Sequence, residues 1–354
     1  MKIGVMTFHW ASNYGAVLQA YALVKRLMQA GFDAEDINYL PREAMFKLRF
    51  FDLYLRRFAN IQRERKIRSF RKKYLRVSSE TYHSYSDLNN IQTKYDAVIS
   101  GSDQIWNESF LTTAEKKPTR SYFLDYLPQS VLRLSYAASF GTNTLTEGLK
   151  AYALPALREF DFISVREENA VQMLADEGIE AVTVCDPTLL IDAADYADIT
   201  ANCRKCQKSD LFNFMLRKGR SSSDSTEEYL IHHVFKNRSN LGKAILTVEQ
   251  WLWKLQNCDF VVTDSFHCTV FAILFHKPFL AVNDKDCAMN ARIKTLAQTL
   301  GLQDRVLEEY DPKRIDEILS ANSIDWEQVD SKRKVWAERS LALLLEKLNL
   351  KKEI

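Results

Sequence analysis

Asp264, Ser265 and His267 form the segment of this sequence with the clearest capacity for chemistry. They lie between a predicted strand over 259–263 and a predicted helix, so the backbone N–H groups of the first helical turn would face a bound anion. An imidazole there can donate to phosphate or carboxylate, or pass a proton near neutral pH. A plain helix N-cap with a histidine packed beside it explains the same residues. Spacing alone leaves both interpretations open.

Arg166 follows a predicted strand over 160–165 and precedes Glu167 and Glu168. A guanidinium at a strand end can bind a carboxylate or phosphate through two parallel hydrogen bonds. A local ion pair with either glutamate explains the same pattern, and the local sequence favours it.

Polar side chains also follow two other predicted strands, in the segments Asn13-Tyr14-Gly15 and Gly101-Ser102-Asp103-Gln104. Asn13, Ser102 and Gln104 are candidates for binding a hydroxyl-rich ligand, although such isolated segments are more often plain turns. In open α/β sheets, ligands bind beyond the carboxyl ends of the strands. We therefore expect these side chains to converge on one crevice with Asp103, Arg166, Asp264 and His267.

Several motifs are absent or incomplete. The ten glycines include no G-x-G pair, and there is no P-loop, H-E-x-x-H or G-x-S-x-G motif. Cys203 and Cys206 form one C-x-x-C, and even with His232 and His233 nothing specifies a complete zinc site. The D-x-D pair at 284–286 is typical of a solvated loop. We therefore expect no metal and no dinucleotide or nucleotide-triphosphate cofactor.

The charge of the 354-residue chain is unevenly distributed. A net charge of +2 excludes a generally basic nucleic-acid coat, but residues 42–76 hold 13 Lys/Arg against 3 Asp/Glu. Aromatic residues are interspersed with these cations. A basic, aromatic helix can lie on an anionic membrane surface, or it can pack its aromatic residues on the domain with its cations in water. Both interpretations stay open.

The sequence predicts a cytoplasmic protein. No run of about 18 apolar residues and no signal peptide is present, and the six cysteines are scattered, as is typical of a reduced protein.

Strand and helix patterns alternate, which predicts an α/β fold with mostly parallel sheets. The strand–loop–helix–strand opening over residues 2–39 is Rossmann-like. We predict an N-terminal domain over 1–180, which includes the basic helical segment 42–76, and a second, shortened domain over 181–325. A long C-terminal helix is predicted over 326–354, with leucines on one stripe.

Six segments, in this order along the chain, resemble the polysaccharide pyruvyl transferase family. They are FHWASNYGAVLQAYA (8–22), YDAVISGSDQIWN (95–107), SYAASFG (135–141), SVRE (164–167), DPTLL (186–190) and TDSFH (263–267). The resemblance implies two Rossmann-like domains with a cleft between them, as in GT-B glycosyltransferases, with the acceptor on the N-terminal side and the donor on the C-terminal side.

The resemblance also implies the reaction. Phosphoenolpyruvate is the donor and co-substrate, a sugar diol is the acceptor, and the products are a cyclic pyruvate ketal and phosphate. By position in the motifs, His267 matches the catalytic or donor-binding histidine, and Arg166 matches a donor-anion ligand. Ser265 fills the place where many members have arginine. Asp103, our candidate base, and Ser135 occupy motif positions expected to reach the cleft, while Cys268 replaces a usual glycine.

The acceptor implied by the family is a lipid-linked or polymeric saccharide precursor of exopolysaccharide or capsule, at the inner face of a membrane. Peripheral attachment through the basic segment is compatible with this, and no nucleic-acid partner is expected. Two alternatives stay open: a nucleotide-sugar-dependent glycosyltransferase of the same architecture, and an inactive family member that serves as a scaffold.

Overall fold

The structure is a computed structural model of the 354-residue chain. It describes residues 1–41, 54–91, 94–111, 120–201, 203, 206–216, 221–235, 245–283, 291–320 and 324–350. The chain divides into two compact units. Unit 1 comprises Met1–Ile191 and Trp336–Ile354, and unit 2 comprises Asp192–Val335.

Unit 1 is built on a parallel sheet with the order β3-β2-β1-β4-β5, and β6 and β7 form a further parallel pair. Single bridges join Leu134 to Phe162 and Ala138 to Val165, which place β6 beside β5. The strands and helices are β1 (Lys2–Met6), α1 (Tyr14–Gln29), β2 (Asp33–Tyr39), α2 (Tyr54–Tyr74), β3 (Val77–Tyr82), β4 (Ala97–Ser100), α3 (Glu108–Leu111), β5 (Leu132–Ser135), α4 (Glu147–Leu157), β6 (Ser164–Val165), α5 (Glu168–Ala175) and β7 (Val182–Thr183).

The strand order reverses direction between β1 and β4, which is where open α/β sheets bind ligands. The ends of these two strands are tied together, because the Thr7 hydroxyl donates to the Ser102 carbonyl over 2.8 Å and accepts from Gln19 Nε2 over 2.8 Å. Gly101 permits the close approach, since a Cβ there would lie 2.9 Å from the Cβ of Thr7. The sequence thus positions the loops after β1 and β4 side by side.

Unit 2 contains a parallel four-stranded sheet with the order β11-β10-β9-β8. Its elements are α6 (Ala197–Ala201), β8 (Leu211–Phe214), α7 (Ser221–Tyr229), α8 (Val248–Gln256), β9 (Phe260–Thr263), α9 (Phe266–Leu274), β10 (Phe279–Val282), α10 (Ala291–Leu300), β11 (Val306–Leu307), α11 (Pro312–Ser320) and α12 (Trp326–Leu350). Strands β8, β9 and β10 are buried along most of their length, as expected for a sheet covered by helices.

The α/β fold with parallel sheets and the long C-terminal helix are confirmed. The division between units falls after Ile191, later than the expected boundary at 180/181, because β7 pairs with β6 of unit 1. The last part of α12, from Trp336, is counted with unit 1 rather than standing apart. The segment 201–240, which shows no clear period, supplies β8 to the sheet of unit 2. No helix within the described ranges is long and apolar enough to cross a membrane.

Candidate functional site

Arg166 lies directly after β6 and is buried, with 2% of its surface exposed. Its Nη1 donates to Oδ2 of Asp186 over 2.8 Å and lies 3.5 Å from the hydroxyl oxygen of Ser102. Its Nη2 lies 3.6 Å from Oδ1 of Asp103. The sequence pattern favours a local ion pair with an adjacent glutamate, whereas the fold brings this guanidinium to carboxylates that are distant in sequence.

Burial alone would lower the pKa of Arg166, but the charges of Asp186, Asp103 and Glu167 outweigh it and raise the pKa. The guanidinium therefore stays protonated although it is buried. An anionic ligand of Arg166 has to compete with these carboxylates. The contact to Asp103 at 3.6 Å is longer than a hydrogen bond, and it is the one that a ligand could replace at lower cost.

Asp103 keeps part of its carboxylate accessible, with 16% of the side chain exposed. Its backbone is left-handed, with φ of 81°, a conformation that aspartate adopts more readily than most residues. Its Oδ1 accepts from the backbone N–H of Gln104 over 2.8 Å, and its backbone bridges to Ala138 after β5. The loops after β4 and β5 therefore lie side by side, and the Asp103 carboxylate of the first loop lies near Arg166.

Asp186 organises this cluster, although sequence reasoning did not select it as a site residue. It is 1% exposed, and its Oδ2 accepts from both Arg166 and the hydroxyl of Ser102. Its Oδ1 accepts from the backbone N–H and the hydroxyl of Thr188, so Asp186 caps the turn over Pro187–Leu189. The available signal was the D-P-T string, because aspartate two residues before threonine is a capping pattern.

Glu167 and Gln104 pack around Gly141. Oε1 of Glu167 accepts from the Ser139 hydroxyl over 2.7 Å, and Oε1 of Gln104 accepts from Asn107 over 2.9 Å. Gly141 has a φ of +62°, and a Cβ there would lie 2.6 Å from the Asn107 amide nitrogen. Gln104 is 5% exposed, so most of its surface supports this loop rather than facing solvent.

Three of the predicted contact residues have structural roles. Ser135 is fully buried, and its hydroxyl donates to the Ser164 carbonyl and accepts from the Ser164 N–H, so it joins β5 to β6. Ser102 is also fully buried against Asp186. Asn13 caps α1 by accepting from the N–H of Gly15, although the residue itself is exposed. The hydroxyls of Ser102 and Ser135 therefore hold Asp186 and β6 in place.

His9, in the loop after β1, is a buried polar residue that sequence reasoning missed. Burial lowers its pKa to about 4, so the imidazole is neutral near pH 7. The loop that follows is held by α2, because Arg71 donates to the Trp10 carbonyl and to Glu64, and Ser12 donates to Glu64. Part of the basic segment thus fixes the loop that leads into α1.

In unit 2, the turn between β9 and α9 carries the other predicted residues. Ser265 caps α9 by accepting from the Cys268 N–H over 3.4 Å, and Oδ1 of Asp264 accepts from the Leu216 N–H over 2.6 Å. His267 lies in the first turn of α9, and its ring is 5.2 Å from that of Phe266. The predicted N-cap is therefore present, and the imidazole stands at the helix end where backbone N–H groups favour an anion.

Cys268 does not project from this helix end. It is fully buried, and burial raises the pKa of its thiol well above the usual value, with Thr263 as a hydrogen-bond partner. The Cys268 side chain therefore fills interior space of unit 2.

Cys203 and Cys206 form a disulfide, with their Cα atoms 6.5 Å apart. Among the residues that the structure describes, no group of three or more His, Cys, Asp or Glu side chains is arranged to hold a metal ion. The D-x-D pair at 284–286 lies outside the described residues.

The structure thus gathers the predicted residues into two groups. Asp103, Ser102 and Arg166 lie together at the strand ends of unit 1, and Ser265 and His267 lie together at the β9–α9 turn of unit 2. Ser135 belongs to the sheet of unit 1, while Asn13 stands at the start of α1.

Comparisons of the whole structure give relatives at low sequence identity. UDP-GlcNAc 2-epimerase from Methanocaldococcus jannaschii matches with a TM-score of 0.52 and 11% identity, over 98% of this chain and 100% of that one. Anabaena Alr3699/HepE in complex with UDP and glucose matches with a TM-score of 0.51 and 9% identity, over all of both chains. These likenesses support the expected GT-B-like fold.

Comparison of the sequence with curated proteins finds no match. A family model, described as polysaccharide pyruvyl transferase, matches residues 13–286. That range includes all of the predicted site residues and most of the chain, and we conclude that the chain belongs to the polysaccharide pyruvyl transferase family.

Proposed function

We propose that the protein transfers the enolpyruvyl group of phosphoenolpyruvate to two hydroxyls of a sugar, forming a cyclic pyruvate ketal and releasing phosphate. The observation that carries this proposal is the family match over residues 13–286. The acceptor is a saccharide precursor of a surface polysaccharide, either lipid-linked or polymeric.

The reaction needs one proton donor and at least one base. Protonation of the vinyl methylene carbon makes the adjacent carbon electrophilic, and the two sugar oxygens bond to that carbon as the bond to phosphate breaks. The two sugar hydroxyls release two protons. One returns to the proton donor, which gave its own proton to the methylene carbon, and the other leaves with phosphate. Side chains with suitable protonation states can perform every one of these transfers.

We assign His267 as the proton donor and as a donor ligand. The imidazole stands at the first turn of α9, where N–H groups and the helix dipole favour phosphate or carboxylate. The reaction requires this imidazole to give a proton to the methylene carbon. Ser265 contributes its hydroxyl at the same turn.

In unit 1 we assign Asp103 as the base and Arg166 as a ligand of the donor anion. Asp103 is the part of the carboxylate cluster with an accessible side chain, and Arg166 is its cationic neighbour at 3.6 Å. Asn13 and Gln104 are the proposed acceptor contacts, with Ser102 acting through Asp186. Because Asp186 anchors the other edge of the guanidinium, Arg166 stays in place when Asp103 changes its protonation.

The test is incubation of the purified protein with phosphoenolpyruvate and saccharide diols, followed by measurement of phosphate release and acceptor mass together. We expect phosphate release that depends on the acceptor, with a mass gain equal to a pyruvate ketal. Turnover of a nucleotide sugar, with no binding of phosphoenolpyruvate, would instead support the glycosyltransferase alternative. Binding of neither donor would support a scaffold.

We also propose that the exposed face of α2 attaches the protein to an anionic membrane surface. Ile67 and Phe70 of this helix are buried, and the Phe70 ring lies 6.4 Å from that of Tyr21 on α1. The aromatic residue at 70 therefore packs on unit 1, as one of the two sequence interpretations expects. Among the residues of α2 whose burial the structure describes, the exposed cations are Arg63, Arg65, Arg68, Lys72 and Lys73. Each would add about 1 kcal/mol near an anionic surface.

A further inference from the structure

The β9–α9 turn has to hold a highly charged donor with few charges of its own. Phosphoenolpyruvate carries a phosphate and a carboxylate, and hydrogen bonds between charged partners are roughly twice as strong as neutral ones. Residue 265 is a serine and brings no charge to the turn. The proposed donor site of unit 2 therefore needs another source of positive charge.

Arg292 brings a guanidinium to this turn from the first turn of α10. It is 7% exposed, and its Cζ lies 5.5 Å from the centroid of the Phe266 ring. The same ring lies 5.2 Å from the ring of His267. Phe266 stands between Ser265 and His267 in the sequence, so Arg292 and the imidazole contact the same side chain of the turn.

The other buried arginines described in unit 2 bind elsewhere. Arg305 donates to the Ile318 carbonyl over 3.0 Å and lies 3.1 Å from Asp304. Arg333 donates to Asp192 over 2.6 Å. Both of these guanidinium groups contact other elements of unit 2, and Arg292 is the buried arginine described beside Phe266.

Asn283 adds a second polar group at the same edge of the sheet. In the register of β9 and β10, Ala281 lies opposite Thr263, and Asn283 follows the end of β10 as Ser265 follows the end of β9. It is 5% exposed, and within the described part of the chain its Oδ1 has no hydrogen-bond partner. A buried amide without its full complement of partners is unusual in a folded protein and is typical of a ligand site.

We infer that Arg292 is a further cation of the donor site and binds the phosphate of phosphoenolpyruvate beside His267, supplying the charge that Ser265 lacks. This inference rests on the function proposed above. Contact with the Phe266 ring restrains the Arg292 side chain, and a planar guanidinium can make two parallel bonds to one phosphate. Lysine would keep the charge but not this geometry.

The test compares Arg292→Gln and Arg292→Lys with wild type and with Lys294→Gln, an exposed cation two residues further along α10. Calorimetry measures binding of phosphoenolpyruvate and of inorganic phosphate, and thermal unfolding is measured in parallel. We expect Arg292→Gln to weaken both ligands roughly ten- to hundredfold. Arg292→Lys should retain part of the affinity, and Lys294→Gln should retain all of it.

If Arg292 only stabilises the fold through its contact with Phe266, a different result is expected. Arg292→Ala would then unfold at a lower temperature, and added guanidinium would leave its ligand binding unchanged. A ligand role predicts that guanidinium restores phosphate binding to Arg292→Ala, without an equal effect on Lys294→Gln. Absence of this rescue would overturn the inference.

The inference and the proposed function can fail separately. If wild type binds phosphoenolpyruvate and Arg292→Gln binds it equally well, the inference is wrong and the function stands. If wild type binds inorganic phosphate through Arg292 but does not turn over phosphoenolpyruvate with any diol, the inference stands and the proposed function is wrong.

Discussion

The guanidinium of Arg166 is joined to the carboxylate of Asp186 over 2.8 Å, and both residues are buried. One partner follows β6 and the other follows β7, so a hydrogen-bonded ion pair inside unit 1 links two strand ends. This pair places the Nη2 edge of Arg166 toward Asp103. The same ion pair therefore stabilises unit 1 and orients Arg166 in the candidate site.

Replacing Asp186 with alanine should destabilise unit 1 strongly. The change leaves the buried guanidinium of Arg166 without its closest carboxylate, which typically costs about 3–5 kcal/mol. Denaturant unfolding followed by tryptophan fluorescence measures the loss. The control is Glu168→Ala, an exposed carboxylate near Arg166 in sequence, for which we expect a change within about 0.5 kcal/mol. Equal stability of the two variants would contradict a structural role for the pair.

Replacing His267 with alanine should reduce turnover of phosphoenolpyruvate by roughly 10² to 10⁴-fold, because the reaction loses its proton donor. The matched control is His232→Ala, which removes an exposed imidazole from the same unit. Steady-state phosphate release with a saccharide diol measures both variants. Wild-type turnover in His267→Ala would remove this residue from its assigned role.

Neutralising Arg68 and Lys72 on α2 should weaken binding to anionic vesicles. The loss of two exposed cations amounts to about 2 kcal/mol, or roughly thirtyfold, at low salt. Sedimentation with vesicles of anionic and of neutral lipid gives the measurement, and high salt should release the wild type. The same charge change at Lys332 and Lys334, which are exposed on α12, is the control. If both pairs have the same effect, attachment through α2 is wrong.

Asp36 should make the stability of unit 1 depend on pH. It is fully buried, neither carboxylate oxygen has a hydrogen-bond partner among the described residues, and burial, with the charge of Glu35, raises its pKa well above 3.8. The folded state therefore keeps a proton that the unfolded chain releases above about pH 4, so stability falls as pH rises from there toward the folded pKa.

Asp36→Asn tests this directly, since its amide stays neutral at every pH. We expect this variant to be more stable than wild type at pH 7, with the difference shrinking as the pH falls toward 4. Denaturant unfolding across this range gives the difference. A difference that does not vary with pH would show that Asp36 keeps the same protonation in both states.

Part of the site could be predicted from local sequence. The cap at Ser265, the start of α9 and the position of His267 follow from a strand pattern, a capping residue and a helical apolar run. These signals are local, because capping and periodicity involve residues only a few positions apart. For the same reason the alternation of strands and helices predicted the fold class.

The partners of Arg166 could not be predicted in this way. An adjacent glutamate satisfies local sequence reasoning, whereas Asp186 reaches the guanidinium only because β6 pairs with β7. Because of the same pairing, unit 1 continues to Ile191, beyond the boundary expected from the sequence. Ser135 matched a motif position, but its burial depends on the neighbouring strand β6. Each of these outcomes depends on which distant segments pack together.

The sequence by itself determined the α/β class, the family and the histidine at the start of α9, because each can be recognised from short-range patterns and the order of motifs. The tertiary structure decided which charges meet. It buried Arg166 against Asp186 and brought Arg292 to the ring of Phe266. The physical reason is that burial and ion pairing are set by contacts between segments far apart in the chain, and a linear pattern does not specify those contacts.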